Sequence, residues 1–183
     1  TRDDFVVQVI GVRDGVPYAA HLRELVRRHR LDAAVQLVPE TDNVWPYFRA
    51  ADVFVCTSHI ETFSRAVLEA EAFGLPVVST PVFGLDEQVF WGFNALQFPT
   101  SDAAALARQL ARLLDDPALR RSMAERSRAA FDAHLDYGEM LDRYEAVLLA
   151  AARTGPRCRC PWPADDARGR VRLPALPRLP KVG

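Results

Sequence analysis

Apolar residues along this chain fall into two alternating rhythms. Short apolar runs of four to six residues predict strands, and segments with apolar residues at every third and fourth position predict helices. Residues 5–10 form the first run, closed by Gly11 and a turn-rich stretch to Gly15, and residues 18–30 are amphipathic with helical spacing. The pattern then repeats. Strands are predicted over residues 33–38, 52–56, 76–80 and 95–98, with 52–56 apolar enough to be buried on both faces. Helices are predicted over 43–50, where Pro46 is tolerable in a first turn, and over 62–74, where Phe63, Val67, Leu68 and Phe73 recur on one side and Gly74 signals the stop. Three more follow: one through Leu114 capped by Asp102, one from Pro117 to about residue 134, and one over residues 137–152.

Short strands alternating with helices predict an α/β domain, a doubly wound, Rossmann-like parallel sheet with right-handed crossovers. Ligands of such sheets lie beyond the carboxyl ends of the strands. The loops that matter are therefore 11–17, 38–43, 57–63 and 80–86.

Composition divides the chain. At 183 residues it is the size of one domain. The net charge of −1 conceals a tail, residues 153–183, with eight Arg and Lys against two Asp and six of the thirteen prolines. A domain over residues 1–152 followed by a disordered tail is expected. No apolar run approaches the roughly 20 residues of a membrane span, and Thr1-Arg2-Asp3-Asp4 lacks the layout of a signal peptide, so a cytoplasmic protein is expected. Cys158 and Cys160 in the tail have no further ligands close by in sequence, and Cys56 reads as a small buried hydrophobe, so no metal site is expected.

The chemistry concentrates after the third strand. The loop Thr57-Ser58-His59-Ile60-Glu61 leads into a helix that carries Glu69 about two turns in. If Glu61 were helical, the two carboxylates would differ in phase by roughly 80°, which suits opposite ends of an extended ligand. The amides of Thr62, Phe63, Ser64 and Arg65 lie at the positive end of the helix, an anion site of the kind phosphates use. Carboxylate, phosphate site and carboxylate together fit a nucleotide sugar, with Glu69 on the ribose hydroxyls, the amides on the diphosphate and Glu61 on the sugar. The alternative is a solvated Glu at a helix start and another on an exposed face. His59 either faces the sugar or is structural, and Arg13 either approaches phosphate or is a surface charge. Trp45 and Trp91 are expected to pack, and Asp86 and Glu87 to be loop charges.

The run Glu61-Thr-Phe-Ser-Arg-Ala-Val-Leu-Glu69-Ala-Glu-Ala-Phe-Gly74-Leu-Pro76-Val-Val resembles the E-x7-E signature of retaining GT-B glycosyltransferases, in particular glycosyltransferase family four. Residues 51–58 resemble the preceding block, Pro81-Val-Phe-Gly84-Leu-Asp-Glu87 with Gly92-Phe-Asn94 the following loop, and residues 106–121 the family's ending. The resemblance implies the C-terminal half of a GT-B fold. It implies that Glu69 binds the ribose, that Glu61 contacts the donor sugar and supports the reaction centre, that Phe63, Ser64 and Arg65 face the phosphates, and that the backbone around Val38 flanks the base. No metal or other cofactor is required, the nucleoside-diphosphate sugar being a substrate.

The departures are specific. The family usually has Gly at the position of Ser64, and its Asn-Gly is Asn94-Ala95 here. The family's phosphate-neutralising Arg and Lys stand on a strand-loop-helix unit before the position of Phe5, and its acceptor domain precedes that. Both are expected to lie outside this chain, which by itself would be an incomplete enzyme. The partners expected are a nucleotide-sugar donor and a glycan or lipid acceptor, with no nucleic acid, and the full enzyme could meet the inner face of a membrane peripherally. Three readings stay open: the donor-binding part of a glycosyltransferase, a related GT-B epimerase or phosphorylase, and a binding module without turnover.

Overall fold

The computed structural model describes residues 4–134 and 136–154. Two compact units divide between Ala50 and Ala51. The first runs β1 (Val7–Val12), α1 (Pro17–Arg28), β2 (Val35–Pro39) and α2 (Trp45–Ala50). β1 and β2 are parallel, with Val9 opposite Leu37 and Ile10 opposite Val38. The register shifts around Gly11, whose φ of +89° suits a residue without a Cβ, and Val12 pairs with Pro39. Gly11 therefore kinks the strand rather than ending it. Pro17 starts α1 at a position where no amide is needed, and Arg27 and Arg28 face the negative end of its dipole.

The second unit runs β3 (Phe54–Cys56), α3 (Arg65–Ala72), β4 (Val77–Ser79), α4 (Leu85–Gln88), β5 (Ala95–Gln97), α5 (Ala103–Asp115), α6 (Pro117–Asp132) and α7 (Tyr137–Thr154). Its sheet has the order β3-β4-β5, all parallel. The single sheet expected from the alternation is thus two hydrogen-bonded ladders, one in each unit. The pleat of β4 sends Val77 into a core with Cys56, Val67, Leu85, Val89 and Ala95. Val78 points into a second core with Leu96, Phe98, Ala105, Leu113 and Met123. Helices therefore cover both faces of the sheet. β3 is an edge of it, and Val55 remains partly exposed instead of buried on both faces.

Local caps set the helix ends. Asp102 accepts from the Ala105 amide and Asp116 from those of Ala118 and Leu119, with Pro117 opening α6. α3 closes in a Schellman turn, in which Gly74 at φ +69° donates to the Glu71 carbonyl and Leu75 to that of Ala70. α6 braces this end. The Ser127 hydroxyl donates to the Leu75 carbonyl at 2.7 Å and the Arg128 guanidinium to that of Ala72 at 2.9 Å. α7 differs from these helices in exposing Tyr137, Leu141, Tyr144, Val147, Leu148 and Leu149. No helix among the described residues is long and apolar enough to cross a membrane. Of the expected tail only Arg153 and Thr154 are described, as the end of α7, so that expectation and Cys158 and Cys160 lie outside the described residues.

Candidate functional site

The loop between β3 and α3 is held along its length by the segment after β4. The Thr80 hydroxyl donates to the Ser58 carbonyl at 2.5 Å, and the Gly84 amide donates to the Glu61 carbonyl at 3.1 Å. Further on, the Gln88 carboxamide makes two bonds to the backbone of Ser64: Oε1 accepts from its amide at 3.0 Å and Nε2 donates to its carbonyl at 2.7 Å. Gly84 is required by space rather than by conformation. A Cβ there would lie 1.6 Å from the Thr62 carbonyl oxygen, although its φ of −63° is open to any residue.

α3 begins three residues later than the apolar spacing suggests, at Arg65, because Ser64 is its N-cap. The Ser64 hydroxyl accepts from the Val67 amide at 3.4 Å while its own backbone stays extended at φ −86°, ψ 106°. A serine at this position thus supplies a cap that glycine would lack. The amides of Arg65 and Ala66 have no protein acceptor among the described residues, and no acidic residue occupies the first turn. Arg65 itself is exposed and has no carboxylate partner among the described residues, so a cation stands at the positive end of a helix. Among the described residues no negative charge balances this corner.

Glu61 lies in the loop, not on the helix, and its carboxylate accepts from the Thr62 amide at 3.1 Å. Glu69 lies in the second turn of α3, partly buried, and no protein group bonds its carboxylate among the described residues. The phase argument for two helical glutamates therefore does not apply: one carboxylate is on the loop and one on the helix. Phe63 is half exposed, with its ring 6.4 Å from that of His134 in an edge-on arrangement, and His59 is exposed. His59, Glu61, Phe63, Ser64, Arg65 and Glu69 thus share one loop-helix segment of the second unit. Val38 belongs to the first, on β2 opposite Ile10.

Arg13 is not free for phosphate. Its guanidinium grips Glu40 through both Nε and NH2, linking the ends of β1 and β2. These hydrogen bonds hold the Glu40 carboxyl below its ordinary range. Trp91 packs against the β4 core and its indole donates to Asp86 at 2.9 Å, whereas Trp45 is half exposed. Asp86 and Glu87 are first-turn residues of α4. Cys56 is buried and free. Among the described residues no group of three or more His, Cys, Asp and Glu could hold a metal.

Two features were not foreseen from the residues. One is the clamp by Gln88, carried by α4; Gly84 followed by Asp86 and Glu87 is the signal that could have predicted that short helix. The other is a buried network beside the site. The fully buried Glu71 carboxylate accepts from Asn94 at 2.8 Å and meets His134 Nε2 at 3.0 Å, while the Asn94 side-chain oxygen accepts from the Phe90 amide. In place of the family's Asn-Gly, Asn94 ties the turn to α3 and Ala95 enters β5 fully buried.

The family model described as "Glycosyl transferases group 1" matches residues 1–130. A D-inositol 3-phosphate glycosyltransferase of Pseudarthrobacter chlorophenolicus is 43% identical over 143 residues, covering 72% of this chain and 34% of that protein. Among solved structures, sucrose-phosphate synthase from Thermosynechococcus elongatus superposes with a TM-score of 0.72 at 29% identity, over 79% of this chain and 38% of that one. Anabaena HepE in complex with UDP-glucose superposes with a TM-score of 0.71 at 21% identity, over 80% of this chain and 41% of that one. The first two have the names of sugar-transfer and sugar-phosphate enzymes, and the third shares the fold. The chain spans about a third of the length of the curated relatives it matches.

Proposed function

Since the chain belongs to the glycosyl transferases group 1 family, we propose that it is the donor-binding part of a retaining glycosyltransferase of family four, which moves a sugar from a nucleoside diphosphate to a glycan or lipid acceptor. The observation that carries this reading is the start of α3. Amides at Arg65 and Ala66, the Arg65 guanidinium and the Glu69 carboxylate, all without a protein partner among the described residues, lie within two helical turns of one another. The diphosphate takes the amides and Arg65, the ribose hydroxyls donate to Glu69, and the sugar meets Glu61, with His59 beside it and Phe63 along the phosphate turn. A bound UDP-glucose in a protein of the same fold supports this donor class.

In transfer, the bond from the anomeric carbon to the diphosphate oxygen breaks as a bond to the acceptor oxygen forms, and the proton of that acceptor hydroxyl passes to the departing diphosphate. The amides and Arg65 stabilise the charge that grows on the leaving diphosphate. Catalysis here is chiefly positioning and charge stabilisation, with no metal ion. The acceptor half and the remaining phosphate cations belong to the rest of the enzyme, which works in the cytoplasm or at the inner surface of its membrane.

Two variants and two ligands test the assignment. Charge-assisted hydrogen bonds to ribose contribute roughly 1.5–3 kcal/mol each, so Glu69→Ala should weaken nucleotide binding about ten-fold or more. Glu61→Ala should weaken nucleotide-sugar binding and spare the free nucleoside diphosphate. Calorimetry with UDP, GDP, ADP and their sugars reads both, and an unchanged affinity in Glu69→Ala would remove the ribose assignment.

A further inference from the structure

We propose that Gln88 is the positioning residue of the donor site, holding the backbone of Ser64 so that the next two amides of α3 face the donor diphosphate. The inference rests on the donor-site reading above and adds a residue to it. Gln88 is almost fully buried, and both polar ends of its side chain bond the backbone of one residue, on either side of its Cα: Oε1 accepts from the Ser64 amide and Nε2 donates to the Ser64 carbonyl. That carbonyl also accepts from the Leu68 amide, the first turn of α3. Gln88 therefore bonds the residue at which extended backbone becomes helix.

The use of the amides follows a division of labour. Val67 is capped by the Ser64 hydroxyl and the Ser64 amide is taken by Gln88, which leaves Arg65 and Ala66 as the outward donors. Two amides on a rigid turn form an anion site only if the turn's direction is set, because each hydrogen bond weakens steeply with angle. At 1% exposure the side chain of Gln88 is closed off from a ligand. It acts through Ser64, and the contacts at Ser58 and Glu61 fix the same loop at two earlier points.

The test separates the clamp from general stability. Of UDP, GDP and ADP, the one that binds the wild-type chain most tightly is titrated together with its parent nucleoside. Gln88→Met keeps the length of the side chain and removes both hydrogen bonds. It should weaken diphosphate binding about ten-fold while the phosphate-free nucleoside changes less than about two-fold. A merely structural role would move both ligands together or neither, and either result overturns the proposal. Glu69→Ala serves as the control, since it should weaken both ligands. If it weakens neither, or if no diphosphate binds the wild type, the donor-site reading fails and the clamp fails with it.

Should Gln88→Met not fold, amide hydrogen exchange on the wild-type chain decides. The diphosphate should slow the Arg65 and Ala66 amides and the nucleoside should not. Equal exchange of these two amides with and without diphosphate overturns the proposal.

Discussion

β4 and β1 are both short, apolar and paired in parallel, yet Val77 and Val78 of β4 are fully buried while Val7 and Ile10 of β1 are each 38% exposed. The difference lies in their neighbours. β4 has a strand on either side and a core on each face, one built with α3 and α4 and the other with α5 and α6. Among the described residues β1 pairs with β2 alone, and in the first unit only Val12 and Ala19 are buried hydrophobic residues. An apolar run therefore announces a strand without announcing a core. Burial is decided by how many layers meet there, and a two-stranded pair holds itself together only marginally.

The sharpest way to break this comparison is a charge in each strand. Val78→Asp would bury a carboxylate with no partner in a packed core, a cost above about 4 kcal/mol. It should abolish cooperative unfolding of the second unit. Val7→Asp adds a charge that water can reach, and its cost should stay near about 1 kcal/mol. Thermal melts and urea titrations of both variants give the comparison, and similar losses would mean that β1 is covered in solution as thoroughly as β4.

A smaller effect comes from two glycines with opposite reasons for being there. Gly84→Ala has an ordinary backbone but no room, since the new Cβ meets the Thr62 carbonyl. It should cost about 1–3 kcal/mol and displace the Glu61 loop, so nucleotide-sugar affinity falls with stability. Gly15→Ala has open space and a φ of +81°, and should cost about 1 kcal/mol through backbone strain alone. Donor binding should not follow it. Unchanged affinity in Gly84→Ala would show that the loop yields without consequence for the site.

These contrasts mark what the residues alone reveal. Apart from the short α4, strand and helix order were legible because periodicity is local, and so were the ends at Asp102, Pro117 and Gly74, whose caps involve neighbours two to five residues away. The bulge at Gly11 was misread because a glycine in a strand signals a stop and a kink equally. The partial exposure of Val55 was missed because the same three residues would be buried in a central strand. At the site, the E-x7-E spacing located Glu61 and Glu69 on one loop-helix segment. Gln88 stayed invisible because its partner is the backbone of Ser64, 24 residues away, and a backbone partner leaves no trace in residue identity. The Glu71, Asn94 and His134 network was hidden for a related reason, since a glutamate on a helix reads as a solvated face until α6 is known to cover it.

The smallest expected effect belongs to one of the first unit's ion pairs, the one that joins its strand ends. Arg13 and Glu40 are joined by hydrogen bonds through Nε and NH2, but both side chains remain more than half exposed. The hydrogen bonds from Arg13, more than plain charge attraction, hold the folded-state Glu40 carboxyl below its unfolded value. A group depressed in this way contributes stability that is present above the ordinary carboxylate pKa, about 4, and is lost as the pH falls through the lower folded value. Glu40→Gln should therefore lower the melting temperature slightly near neutral pH, and the gap to wild type should close as both are acidified past that range. Solvent screens so exposed a pair, so the gap should also shrink in high salt. Differential scanning calorimetry of the two proteins across pH, at low and high salt, reads both trends. A gap that persists unchanged into acid would assign the loss to packing of the Glu40 side chain instead of its charge, and would mean that the first unit is held at its strand ends by more than an exposed ion pair.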